Sequence, residues 1–526
     1  MTVWVRAVFG VALLAIVPIL LIGLLGGLVV LELVLASHSV SGAVKWLLLT
    51  VPAGLVLGRG LLALVRKIDT SVVGVRLTER KQSELWELVR RIAVVAGTEP
   101  PDEIYLTADV NAAVLEEAAF LGLVPMRRRM LIGAPLLAAM REDQLAAILT
   151  HELAHYSNRD TRLSGLTYRG RRAFVATVAG LHEDWLQKLM RLALKGFLKL
   201  YLRASAGLSR RQERAADEAA ARAVGSTVAA GAMRELAAVA ESWHFFITNH
   251  LVWGWDAGYL PADAFAGYAA LRTSTDEELD EIRQNPPDES SPYDTHPPMR
   301  QRIAAMEAMN AEPVIEIGHR AAVLLLQDPA AVLDAALFSG LVSQAHDKSR
   351  VDWPTLAKVR GRVAAVATAE PIMESVANIT GKAPTLRALL DQLDRGHLAV
   401  LPDPMPDQSL GRRAQRELAR PIVHKGLTAA VHVALADAGP ARWQLSWPGL
   451  KFVADEPYAT ELPAALDAAV ADKADTNGLR TLLEGAKVDL DHWRKHGLGG
   501  VSQSLQLQGE AAASFVQGSR PARHDD

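Results

Sequence analysis

The chain has 526 residues, enough for two or three domains with a substantial core. Half of them are hydrophobic, 22% are charged and the formal net charge is -3, so neither disorder nor a nucleic-acid partner fits. Cysteine is absent, which excludes disulfides, thiolate nucleophiles and Cys-ligated metal, and leaves His, Asp and Glu to hold any ion.

From Val8 to Leu35 the chain is apolar except for Glu32, and about 20 such residues cross a bilayer. A cleaved signal peptide is the rival reading, but its apolar core runs to only about 7 to 15 residues. Ala43 to Val65 is a second candidate span, weakened by Pro52 and by Arg59, which can snorkel to an interface. The link between them is short, so the two predict a transmembrane helical hairpin. Arg6 precedes the pair and Arg66, Lys67, Arg76, Arg80 and Lys81 follow it, against Lys45 alone near the link. This bias puts both ends, and the rest of the chain, on the cytosolic side of the cell membrane.

Leu85, Leu88, Val89 and Ile92 predict a helix over Ser83 to Val95, ended by Gly97 to Pro101. Ile104 to Leu106, Asn111 to Val114 and Met130 to Ile132 read as strands, with Arg127 to Arg129 as a charged turn. Gln144 to Tyr156 and Ser209 to Val224 read as helices, the second stopped by Gly225. Asp276 to Asp294, acidic and Pro-rich, reads as a loop. Beyond about Ile315 the chain is Ala/Leu-rich and predicted mostly helical, with a Pro-broken stretch around Leu401 to Gln408, and it ends in a disordered tail. The division is 1–67 transmembrane hairpin, 68–312 central domain, 313–508 helical accessory region and 509–526 tail.

His151-Glu152-Leu153-Ala154-His155 is an HExxH on a predicted helix. Residues four apart share a helical face, so His151 and His155 can grip one ion while Glu152 stands beside the water to be activated. Chance and an ordinary core can also produce this pattern, so a third ligand has to decide. A metzincin would carry Gly at 158 and His at 161, where Asn158 and Thr161 stand, which excludes that class. The carboxylate comes from elsewhere: Glu213 and Asp217, four apart in an Arg-rich run, can supply the third ligand and an acceptor for a ligand His ring N–H.

The HExxH followed by Asn158, Arg159 and Asp160, the run Ser209 to Asp217 (SRRQERAAD), and Thr295 to Ile303 (THPPMRQRI) together resemble the HtpX and CAAX-prenyl-endopeptidase family of membrane zinc metallopeptidases, over roughly 71–307. The resemblance implies a mainly α fold with a small β-sheet, an α+β zincin-type (gluzincin) core, and one Zn2+ per chain held by His151, His155 and Glu213. It implies Glu152 as general base, Asp217 behind a ligand, and Asp160 in the same supporting role or as a helix cap. It further implies His296 at the oxyanion, and Asn111, Ala112 and Ala113 as an edge strand that pairs with the substrate backbone. Polypeptides, membrane proteins among them, are the expected substrates, and the lipid bilayer the other partner; oligomeric state stays open. Trp185 to Arg203 departs from the family, where further transmembrane segments are common: its basic stripe suits a helix lying on the inner leaflet or one packed on the catalytic domain. The long C-terminal third is the other departure. Two rivals stand beside a general membrane peptidase: an inactive membrane scaffold with a structural zinc, and a processing enzyme dedicated to one partner.

Overall fold

The structure, a computed structural model, describes residues 3–39, 44, 46, 47, 50, 51, 54, 72–119, 124–157, 210–287, 297–402, 409, 411–447 and 449–493. Asp160 and His296, the basic run 185–203, most of the second apolar segment, most of the Pro-broken stretch and the tail lie outside them. The chain divides into two compact units, 1–242 with 277–340, and 243–276 with 341–526.

The first unit begins with α1 (Val3–His38). Its side chains are described at Ile19, Leu20 and from Ile22 onward, and among the described residues no helix is long and apolar enough to cross a membrane. A four-stranded sheet follows: β1 (Val75–Leu77), β2 (Glu103–Thr107), β3 (Ala112–Ala119) and β4 (Val124–Gly133), in the order β1-β2-β4-β3. β4 pairs parallel with β2 and antiparallel with β3, and β1 antiparallel with β2. Ile104, Leu106, Met130 and Ile132 are fully buried between these strands and the helices. α2 (Ser83–Ala96) buries the expected stripe of Leu85, Leu88, Val89 and Ile92, and Gly97 closes it with φ 71°. The Trp86 indole N–H donates to Leu77 O at 2.9 Å and fastens α2 to β1.

The expected turn at Arg127–Arg129 is instead part of β4. Three successive arginines can stay in a strand because acids meet them: Arg127 and Arg129 pair with buried Glu103, and Arg128 with Glu116. Gly133 ends β4 where an added Cβ would lie 2.1 Å from Asp109 O, so only glycine lets the strand pass under that turn.

α3 (Ala134–Ala139) leads into α4 (Glu142–Ala154), which packs on α2 and β3 and buries nearly every residue. The described helix 210–224, α5, stops at Gly225; α6 (Ser226–Phe246) starts with the Ser226 N–H donating to Ala311 O and the Ser226 hydroxyl accepting from Ala311 N. The expected acidic loop opens as a helix, α7 (Asp276–Gln284). Leu279 is buried and Arg283 pairs with Glu235 and Asp280, which offsets the acidic composition until Pro286 and Pro287 end the run. α8 (Met299–Met309) and α9 (Pro329–Gly340) complete the unit.

The second unit centres on two long helices, Trp353–Thr380 and Arg412–Ala438, with an antiparallel hairpin of Ala441–Ser446 and Gly449–Ala454 against them. The expectation of a mostly helical region does not locate this hairpin. Gly361 lets Trp443 approach: a Cβ there would sit 2.1 Å from the indole. A further aromatic group, Trp243, Phe246, Phe265 and Tyr268 with His250, Trp253, Trp353 and Trp447, packs ring against ring within the unit.

Candidate metal centre

Three helices of the first unit build the site. α4 presents His151, Glu152 and, at its end, His155; α5 presents Glu213 and Asp217; α8 presents Arg302. Each pair on α4 and α5 is four residues apart, so each shares a face. His151 is 7% exposed, Glu213 3% and Asp217 5%. Carboxylates that deep are stable only when paired.

The donor atoms converge. His155 Nε2 lies 3.3 Å from His151 Nε2, Glu213 Oε2 lies 3.5 Å from His151 Nε2, and Glu213 Oε1 lies 3.7 Å from His155 Nε2. Ligands about 2.0–2.2 Å from a tetrahedral ion stand about 3.3–3.6 Å apart, so these spacings suit one ion. His151, His155 and Glu213 are also a set in which all ligand atoms lie within 4.8 Å of one another. Three protein donors leave a fourth position for water or substrate, the arrangement of catalytic zinc rather than of closed structural zinc.

The supporting groups fix the ring and the charge. His151 Nδ1 is 3.0 Å from Asp217 Oδ1, so the Nδ1–H donates to that carboxylate and Nε2 faces the ion site. Arg302 holds Asp217 in a fork, Nη2 to Oδ1 at 2.6 Å and Nε to Oδ2 at 2.9 Å, with Glu213 Oε2 at 3.9 Å. Burial opposes the charged form of Asp217, yet the bonds from His151 and Arg302 outweigh it and hold the carboxyl below its usual range. Burial likewise opposes a charged His151, but bonds to Asp217 and Glu213 raise it to about 9. In formal charge, Glu213, Asp217 and Arg302 sum to -1, and Glu152 beside them adds another negative charge; a divalent cation balances that cluster.

Sequence reasoning passed over Arg302, although it stands inside the THPPMRQRI run. A signal was present: Met299, Ile303 and Met306 form an apolar stripe, and Arg302 lies beside it. In the structure Ile303 and Met306 are buried, Arg300 is exposed, and Arg302 is turned inward.

Asn111 lies just before the sheet-edge strand β3, and Ala112 and Ala113 begin it. Gly133 N–H donates to Asn111 O at 2.7 Å, which fixes the alternation. The Asn111 carbonyl and the Ala113 backbone groups turn to β4, while the Asn111 N–H donates to Asp109 O; Ala112 and Val114 turn their backbone groups to the side away from β4.

Residues 79–310 match the family model of Peptidase family M48. No curated protein and no solved structure matches. The matched stretch contains His151, Glu152, His155, Glu213, Asp217 and Arg302. The match covers less than half of the chain, and it is the stretch carrying this site that is similar to the M48 peptidases.

Proposed function

We propose that the chain is a zinc endopeptidase anchored in the cell membrane, working on the cytosolic face in the quality control or processing of proteins, membrane proteins among them. The observation that carries the peptidase reading is the 3.3, 3.5 and 3.7 Å spacing of three donors on two helices, with a Glu next to the first His. Bound zinc would supply Lewis acidity to water and to a scissile carbonyl. Glu152 would take the proton of the attacking water and pass it to the leaving amine. Asp217, clamped by Arg302, keeps the His151 tautomer that leaves Nε2 available. β3 offers backbone groups to an extended peptide, and His296 is proposed as the donor to the developing oxyanion.

Anchoring rests on the apolar run Val8 to Leu35 and on α1 itself. Ile19, Leu20, Ile22, Leu24, Val29, Val30, Leu33 and Val34 are all exposed, as side chains facing lipid would be, while Leu25, Leu28, Glu32 and Leu35 form a half-buried stripe on another face. Of the few described residues of the second segment, Thr50 donates to Glu32 and Gly54 approaches Leu25.

Metal analysis of the wild type beside Glu213→Ala, with chelator-sensitive cleavage of an unfolded protein, tests the reading. One zinc per chain, lost with Glu213 together with cleavage, is expected. Stoichiometric zinc without cleavage would favour the scaffold, and cleavage confined to one natural partner would favour a dedicated processing enzyme.

A further inference from the structure

Tyr156 follows the second ligand His immediately and is tied on every side. Its hydroxyl donates to Val114 O at 2.6 Å, its carbonyl accepts from Thr98 Oγ1 at 3.1 Å, and the Arg128 guanidinium lies 5.1 Å above its ring. Arg128 is itself fixed, bonding Thr98 Oγ1, Glu99 O and Glu116. Tyr156 is therefore a rigid link between the end of the HExxH helix and the edge strand.

The position of that link on β3 has a consequence for peptide binding. Along an antiparallel edge, alternate residues offer their N–H and C=O outward. On β3 these are Ala112, Val114 and Glu116, by the register that the Gly133 to Asn111 bond sets. A peptide adding itself as a fifth strand would use the Ala112 carbonyl and next the Val114 carbonyl, two residues on. The Val114 carbonyl already accepts from the Tyr156 hydroxyl, which takes the place that an N–H of the incoming strand would fill.

Resting on the peptidase reading above, we infer that Tyr156 sets specificity by ending the substrate-pairing edge at Val114, so that only the Ala112 carbonyl takes a backbone N–H from the substrate. The enzyme would then grip a short extended segment, and its choice of site would depend little on β-pairing beyond it.

The experiment uses full-length, zinc-loaded Glu152→Gln protein, which should bind peptides without cutting them. Fluorescein-labelled ten-residue casein peptides are titrated by anisotropy, and each is N-methylated at one amide after another. One sensitive amide, with Kd raised about tenfold, is expected, and the amide two residues away should change Kd by less than about twofold. Adding Tyr156→Phe should tighten the unmethylated peptide about threefold or more and create a second sensitive amide two residues from the first. Two sensitive amides with Tyr156 present would overturn the inference, and so would an unchanged pattern in the Phe variant. Should the Phe variant fail to fold, the scan with Tyr156 in place still decides between one sensitive amide and two. Cleavage of casein by the wild-type protein is measured separately: cleavage without peptide binding of this pattern removes the role of Tyr156 alone, whereas zinc-loaded protein that cuts nothing removes the peptidase reading.

Discussion

Two buried histidines, one in each unit, show what burial alone does and what a carboxylate adds. His151 is 7% exposed and His250 2%. Burial disfavours the charged ring at both. Around His151 the Asp217 and Glu213 carboxylates outweigh that cost and push it up to about 9. His250 sits in a short π-helical turn, Ile247–Leu251, against Phe245, Phe246, Trp253 and Trp447; among the described residues neither ring nitrogen has a hydrogen-bond partner, and burial pushes it down to about 4. A π-turn often marks a functional position. Among the described residues no acid or second histidine joins it, so His250 reads as core, while His151 has the neighbours of a ligand.

The largest effect should come from the group that the first environment exists to serve. Glu152→Gln removes the proposed base but none of the three donors. Cleavage should fall about 100- to 10,000-fold, while zinc content by metal analysis stays at the wild-type level. A variant cutting at the native rate would take Glu152 out of the mechanism.

Next in size is the clamp. Arg302→Gln leaves Asp217 buried beside Glu213 without its guanidinium, and removing one partner of a buried ion pair costs about 3–5 kcal/mol. In the metal-free protein a stability loss of that order is expected in urea. Adding Asp217→Asn should recover a large part of it, because the stranded charge goes with it. If the double variant were simply the sum of the two singles, Arg302 and Asp217 would not act as a unit.

Asp217→Asn alone turns the surroundings of His151 partway towards those of His250. The amide can still accept from Nδ1–H but no longer opposes the charge, and loss of such a partner weakens metal binding about 10- to 100-fold. Competition with a calibrated chelator measures this. An unchanged zinc affinity would show that the hydrogen bond, not the charge, is what the ligand ring requires.

How much of this contrast was legible in the sequence follows from its range. His151 with His155, and Glu213 with Asp217, are local pairs whose spacing of four is fixed by helix geometry, so each could be read directly. Joining them needed a tertiary contact, and the motif order supplied it. Arg302 was not read because arginine beside Arg300 looks like a solvated surface, and only the packing of Ile303 and Met306 shows which one turns inward. The Arg127–Arg129 strand was missed for a related reason: its acids, Glu103 and Glu116, come from other strands. In α7 a single buried Leu279 and the Arg283 to Glu235 pair outweigh a run of acids. The hairpin at Ala441–Ala454 sits in an Ala-rich neighbourhood, and its cross-strand pair, Trp443 with Phe452, is visible only once the strands are in register.

The smallest effect tests the second environment. His250 and His432, the latter stacked on Phe452 with centroids 3.6 Å apart, are both lowered by burial to about 4. An unfolded histidine titrates near 6.5, so between about 6.5 and 4 the unfolded state binds more protons than the folded one. Stability is therefore complete above about pH 6.5 and declines as pH falls towards 4. Each histidine should remove about 1 kcal/mol between pH 7.5 and pH 5.5. Seven of the 11 tryptophans, Trp243, Trp253, Trp255, Trp353, Trp443, Trp447 and Trp493, lie in the second unit, so urea unfolding followed by tryptophan fluorescence reports mainly on it. His250→Phe keeps an aromatic ring and has no proton to gain. It should halve the loss on acidification whatever it does to stability at neutral pH, and an undiminished loss would mean that His250 finds a proton-stabilising partner when the ring is charged.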